Sequence, residues 1–209
     1  MRQLILNIRP DALPGFDNYL PGANTEAVQA VAASAGFVYL WGPTGVGKTH
    51  LLRAWAAATG APLHPAAPLP EAAPDALAVD DVESLDAAAQ HRLFGLAIAL
   101  REAGGRLLTA GAAPPASLAV RSDLATRLAQ GLVFRLLPLS DADKALAITQ
   151  RAESLGLVLP EEVTRHLLTH CRRDLPHLLE TVDALDALSL SRKRAVTLPL
   201  LREWLQGPV

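Results

Sequence analysis

The sequence predicts an α/β domain, with a parallel sheet built around a phosphate-binding loop, followed by a small all-helical domain. Three observations carry this expectation. Residues 37–49, FVYLWGPTGVGKT, place a glycine-rich turn directly after an apolar strand. Residues 76–85, ALAVDDVESL, end a second apolar run on two carboxylates. Beyond Pro138 the apolar residues recur only at helical spacing.

Composition sets the limits. A chain of 209 residues is long enough for one α/β domain with a helical companion. Half of its residues are hydrophobic but only 4% are aromatic, so Leu, Ala and Val must fill the core. No stretch approaches the roughly 18 to 20 apolar residues of a membrane span. The N-terminal apolar run is too short for a signal peptide and is followed by no small-residue cleavage site. A cytoplasmic protein is expected, and Cys171, the single cysteine, excludes an internal disulfide. Formal net charge is −2, and only SRKR at 191–194 is locally basic, read as a solvated turn between two helices. Such a balance argues against sequence-specific DNA binding by this chain alone.

In chain order, the opening MRQLILNIRP would, if extended, put Leu4, Leu6 and Ile8 on one side and Gln3, Ile5 and Asn7 on the other. The residues alone leave two covers for that stripe, the protein's own sheet or a partner's groove. Phe37 to Trp41 then reads as a buried strand, and a helix from about Lys48 to Ala58 follows the turn. The turn Gly42-Pro43-Thr44-Gly45-Val46-Gly47-Lys48-Thr49 fits G-x-x-x-x-G-K-[ST]. Its glycines let backbone N–H groups meet phosphate oxygens, Lys48 reaches the β and γ phosphates, and Thr49 offers a hydroxyl to Mg²⁺. With His50, these residues make the expected nucleotide-binding segment. Leu77 to Val79 forms a second strand, ending in Asp80, which would hold Mg²⁺ or its water, and Asp81, which would orient an attacking water. The Ala/Pro-rich stretch between the two motifs predicts a short strand near Leu63 and an irregular loop, with His64 an ordinary surface histidine. A third strand, Arg106 to Thr109, leads into GAAPPASL, where such folds inspect the γ-phosphate.

The C-terminal helices have explicit start and stop signals. Ser140 caps one, with Asp143 at the capping-box position and Gly156 ending it. Pro160, Glu161 and Glu162 start a second, ending near Cys171. A third runs from about Asp174 to Leu190, and Thr197 caps a last one through Leu205. Four helices after a P-loop domain, with a nucleotide in the crevice between, is the AAA+ arrangement. The expected division is an extended peptide at 1–10, an AAA+ P-loop domain at 11–137 and a helical lid at 138–209.

Further stretches carry a narrower resemblance. FDNYLPGANTEAV (16–28) resembles the segment before the P-loop strand of the replication initiator DnaA, F-x-x-F-V-x-G-x-x-N-x-x-A. DLATRLAQGLVFRLLPLSDADK (123–144) resembles that family's arginine-finger stretch, and GAAPPASL its D-R-P-P-x-x-L turn. Neither DnaA's C-terminal helix-turn-helix domain nor its N-terminal interaction domain is seen, so the resemblance narrows to the Hda family of shortened homologues, regulatory inactivators of DnaA. That family carries a Q-L-x-L-x-L type peptide for the sliding clamp, the β subunit of DNA polymerase III. QLILNI has that form, with Gln3 supplying amide hydrogen bonds and Leu4, Leu6 and Ile8 filling the groove.

The resemblance implies an ADP- or ATP-bound, Mg²⁺-dependent protein with two partners, DnaA and the clamp, and it allows a homo-oligomer. On the DNA-loaded clamp it would promote hydrolysis of DnaA-bound ATP, with Arg127 as an arginine finger acting in trans and Arg121 or Arg135 as substitutes. Two departures are visible. Ala112 stands where the family's third-strand turn has an acidic residue. Pro176 stands where a sensor arginine is expected, leaving Arg172 or Arg173 to replace it. Weak intrinsic ATP turnover is therefore expected, with nucleotide held mainly by the P-loop. The competing reading is a DnaA-like or helicase-loader-type ATPase acting through its own hydrolysis. A small-molecule kinase would need an arginine-rich lid, which is missing, and a DNA-bound initiator a helix-turn-helix domain.

Overall fold

A computed structural model describes residues 14–33, 36–65, 68–172 and 174–205, which form two compact units. The proposed clamp peptide, Gln3 to Ile8, lies outside the described residues, as does Arg173.

The first unit, which extends to Leu136, holds a five-stranded sheet in which every pairing is parallel. Its strands are β1 (Phe37–Trp41), β2 (Leu63–His64), β3 (Ala76–Val79), β4 (Arg106–Gly111) and β5 (Leu132–Arg135), in the spatial order β2-β3-β4-β1-β5. Helices α1 (Thr25–Ala33), α2 (Lys48–Thr59), α3 (Ala87–Glu102) and α4 (Ser122–Leu128) belong to the same unit.

Period-two alternation along the strands sorts the core into two layers. Val38 and Leu40 of β1, Ala76 and Ala78 of β3, and Leu108 and Ala110 of β4 join Ala27, Val31, Leu51, Leu52 and Trp55 of α1 and α2. Tyr39, Leu77, Val79 and Leu107 face the other way, with Leu93, Leu96, Leu100, Leu124 and Leu128 of α3 and α4. Alanines at 76, 78 and 110 leave room for Trp55, which is only 2% exposed. Volume is thus shared between small strand residues and one large helical one. Burying each large apolar side chain contributes about 1.5–3 kcal/mol.

The second unit comprises Leu20–Asn24 and the chain from Leu137 onward. Its helices α5 (Asp141–Ser154), α6 (Glu161–His170), α7 (Leu175–Arg192) and α8 (Leu198–Leu205) enclose Ile148, Val163, Leu167, Leu178, Val182, Leu185 and Leu201. Ser140 and Asp143 make the full capping box, each side chain accepting from the other's backbone N–H at 3.1 Å. Asp174 caps α7 by accepting from His177 N at 3.2 Å, and Pro176 sits in that helix's first turn, where no intrahelical N–H is required. Arg151 of α5 forks onto Asp183 of α7 through two bonds of 2.7 Å.

Leu20–Asn24 is the part of the DnaA-like FDNYLPGANTEAV segment that groups with the helices rather than with the sheet. Asn24 is 5% exposed. Its Nδ2 donates to Leu137 O at 2.9 Å and its Oδ1 accepts from Leu137 N at 2.7 Å. One side-chain amide thereby satisfies both main-chain groups of the residue that opens the longer part of this unit.

Several elements differ from the sequence expectation. Helices α1, α3 and α4 and strand β5 stand where no element is expected. SRKR is only partly a turn. Ser191 and Arg192 still belong to α7, Lys193 takes a left-handed conformation (φ 51°), and Arg192 pairs with Glu203 of α8.

Candidate nucleotide site

The site lies at the C-terminal ends of the parallel strands. There β1 has β4 on one side and β5 on the other, and the chain leaves it toward β2 while β5 arrives from β4 across it. Such reversals of strand order open crevices for ligands in α/β sheets. The loop after β1 occupies this position.

Glycine is required at two points of that loop. Gly42 lies so close to Leu136 that a Cβ would come within 2.6 Å of its carbonyl oxygen. Gly47 has φ 96°, and a Cβ there would meet the Tyr19 ring at 2.7 Å. Gly45, with φ 79°, meets nothing within 4 Å, leaving its backbone accessible to a bulky anion. The N-terminus of α2 begins immediately afterwards, with no side-chain cap and no acidic residue in its first turn. Its first N–H groups and the positive end of the helix dipole are therefore available to phosphate.

Lys48 is buried, and its Nζ donates to Gly42 O at 2.7 Å and Pro43 O at 3.1 Å, which bends the ammonium back over the loop. Thr49 Oγ1 donates to Asp80 Oδ2 at 2.6 Å, joining the loop to the end of β3. Asp80 Oδ1 accepts from Asp81 N at 3.0 Å, which fixes the carboxylate plane. A hydroxyl and a carboxylate side by side are hard oxygen donors, the set that suits Mg²⁺. Asp81 adopts a left-handed conformation (φ 44°). Burial first, then the charges of Asp80 and Glu83, hold its carboxyl above the ordinary range, partly offset by Lys48.

His50 turns its ring from the loop: Nε2 bonds with Gly15 O at 2.9 Å, and the ring tilts against Tyr19 with centroids 5.3 Å apart. Tyr19, unremarked in the sequence, supports the loop from behind, its hydroxyl donating to Val46 O at 3.4 Å. Burial pushes its phenol to about 12.

At the end of β4 the structure supplies a second residue that the sequence does not announce. Ala112 offers no polar side chain, but its N–H donates to Glu83 Oε1 at 2.8 Å. Tyr39 donates its hydroxyl to Ala113 O at 2.7 Å, and burial, with the Glu83 charge second, raises its phenol. Only the folded sheet brings position 83 beside position 112, so no local pattern marks it.

The three arginines weighed as fingers occupy different settings. Arg121 is forked onto Asp123 at 3.1 and 2.6 Å, and Arg135 lies over the Trp41 ring at 5.2 Å. Arg127, in the last turn of α4, meets no carboxylate among the described residues. Its Nη1 donates to Gln130 Oε1 at 3.2 Å and its guanidinium lies 5.8 Å from the Phe94 ring centre. Arg172, offered as a substitute at Pro176, is paired with Asp174 at 3.3 Å.

Comparison with known proteins identifies the architecture. Residues 141–205 match the family model described as Hda, lid domain. Domain III of the replication initiation protein DnaA from Thermotoga maritima superposes with a TM-score of 0.73 at 19% identity, covering 94% of this chain and 100% of that one. The helical unit matches the Hda lid, and the chain has the fold of DnaA domain III. AMPPCP-bound DnaA from Aquifex aeolicus gives a TM-score of 0.67 at 20% identity over 86% of this chain and 68% of that one. A point mutant of RuvB from Thermotoga maritima gives 0.71 at 14% identity over 92% and 71%. The fold of the sheet and the match of the lid thus rest on separate observations. No helix among the described residues is long and apolar enough to cross a membrane.

Proposed function

We propose that this AAA+ protein is a negative regulator of replication initiation that holds an adenine nucleotide, docks on the sliding clamp through Gln3 to Ile8, and promotes hydrolysis of ATP bound to DnaA. The observation that carries the reading is the Hda-type lid joined to a formed P-loop.

The residues divide the work. Backbone N–H groups from Gly45 to Thr49 would hold the phosphates, with Lys48 swinging from the carbonyls of Gly42 and Pro43 to the phosphate oxygens. Thr49 and Asp80 would hold Mg²⁺, which screens phosphate charge when bound. Arg127 would act outward, on a nucleotide held by DnaA, where a finger arginine is worth about 10³ to 10⁵ in rate in well-studied GTPases. Its guanidinium suits that task because Gln130 and Phe94 orient it without neutralising it. ADP is the resident nucleotide in this reading, and intrinsic turnover is weak because Pro176 supplies no cation. The formed Thr49–Asp80 contact with Asp81 beside it favours a second reading, a loader-type ATPase that hydrolyses its own ATP.

Hydrolysis of radiolabelled ATP preloaded on DnaA separates the two. It would be followed with clamp loaded on DNA, with and without this protein, alongside Arg127→Ala and a Gln3→Ala/Leu4→Ala double variant. Clamp-dependent stimulation lost in both variants is the expected result. Clamp-independent turnover by the protein alone establishes the loader-type reading instead.

A further inference from the structure

Helix α6 carries two histidines one turn apart, His166 and His170, whose rings lean together with centroids 4.3 Å apart and planes tilted by 40°. Side chains at i and i+4 share a helix face with their Cβ atoms about 5–6 Å apart, so these rings have closed on each other beyond what the backbone dictates. Val163 and Leu167 of the same helix are fixed in the core of the helical unit, which leaves His166 half-buried and His170 exposed. Among the described residues neither ring is hydrogen-bonded to another group, whereas Nε2 of His50 is taken by Gly15 O. Burial first, then His170 and Arg202 of α8, lower the pKa of His166 and favour its neutral imidazole, the form that ligates metal.

The spacing fits one shared ion. A transition metal lies about 2.0–2.1 Å from a ligating imidazole nitrogen, so two rings meeting it at a right angle have centroids about 4.5 Å apart, and about 5.2 Å at the tetrahedral angle. The observed 4.3 Å is nearer the right angle, the geometry of tetragonal Cu²⁺ and Ni²⁺. The charges acting on His166 narrow the class further, because they come from His170 and the fixed cation of Arg202, with no carboxylate among them. An ion held here must be bound by nitrogen donation rather than by charge, which is the opposite of what Mg²⁺ and Ca²⁺ require.

We infer that His166 and His170 form a two-point chelating site for a divalent transition ion of the Cu²⁺ or Ni²⁺ class on α6, distinct in donor set from the oxygens of Thr49 and Asp80. Water completes the coordination. Bound there, the ion ties one turn of α6 to the next and stabilises the helical unit.

The test is isothermal titration calorimetry of the full chain, without an affinity tag or nucleotide, using Ni²⁺ as the probe and Mg²⁺ in parallel. It compares wild type with His166→Ala, His170→Ala, the double variant and His91→Ala, each checked for folding by circular dichroism. One Ni²⁺ per chain is expected, unaffected by excess Mg²⁺. Either single alanine should weaken it about tenfold or more, the double variant should abolish it, and His91→Ala should stay within twofold of wild type. Saturating Ni²⁺ should also raise the melting temperature of wild type and leave that of the double variant unchanged. Wild type that binds no Ni²⁺ overturns the inference. So does unchanged affinity in the double variant, which places the ion on other donors, or an effect of only one of the two alanines, which reduces the pair to a single ligand.

Discussion

Replacing Asn24 by alanine should loosen the helical unit, and the structure gives the size of the effect. The substitution removes two hydrogen bonds, to Leu137 O at 2.9 Å and from Leu137 N at 2.7 Å. A net hydrogen bond is worth about 0.5–1.5 kcal/mol, so the pair amounts to about 1–3 kcal/mol. Leu137 is 40% exposed, so water can reach part of what is freed and the lower half of that range is expected. Asn24→Asp is the sharper variant. It preserves the acceptor for Leu137 N but sets a carboxylate oxygen against Leu137 O, so it should lose as much as alanine despite its near-identical shape. Urea unfolding followed by circular dichroism gives the stability. Hydrogen exchange of the Leu137 amide reports the bond directly, and protection should fall about tenfold or more. A change below about 0.5 kcal/mol in Asn24→Ala, with the Leu137 amide still protected, would refute the view that this side chain fastens the segment.

Other outcomes follow from the loop and its carboxylates. Gly47→Ala combines a left-handed φ with a 2.7 Å encounter with Tyr19, so it should cost about 1–3 kcal/mol by thermal melting; Gly45→Ala, in open space, should cost less, and the difference isolates the Tyr19 contact. Lys48→Ala should weaken Mg·ADP binding about 10- to 100-fold in a displacement titration with a fluorescent ADP analogue, the worth of a hydrogen bond to a charged group. The raised Asp81 carboxyl means that the folded chain holds that proton more tightly than the unfolded one. Its contribution is present at acid pH and is lost as pH rises through the shifted value. Asp81→Asn, which keeps a residue at ease in the left-handed region, should therefore raise the melting temperature at pH 7 by about 1–2 °C and bring no gain at pH 3.

What the sequence makes legible is what sits close together along it. The P-loop, the paired aspartates and the Ser140 capping box are all runs of a few residues whose chemistry needs that order. Helix α3 is harder to see because AAAQHRLFGLAIALRE is apolar on more than one face and carries Gly95. Strand β5 has only four residues, and Leu132 and Val133 remain exposed, so no alternation announces it. The roles of Asn24 and Glu83 are set by partners 113 and 29 positions away. Neither bond leaves a periodic trace. The DnaA-like motif around Asn24 marks the residue without saying what it holds.

The three apolar clusters described above each include one of the chain's three tryptophans. Trp41 borders the layer under α3 and α4, Trp55 is sealed beneath α2, and Trp204 lines the helical unit. With so few aromatic residues, each indole is an isolated optical reporter of one layer. Single-tryptophan variants would let emission spectra time the loss of each layer separately. The P-loop sheet and the lid then become distinguishable by wavelength and quenching alone, without a label, in variants that can each be tested for nucleotide binding.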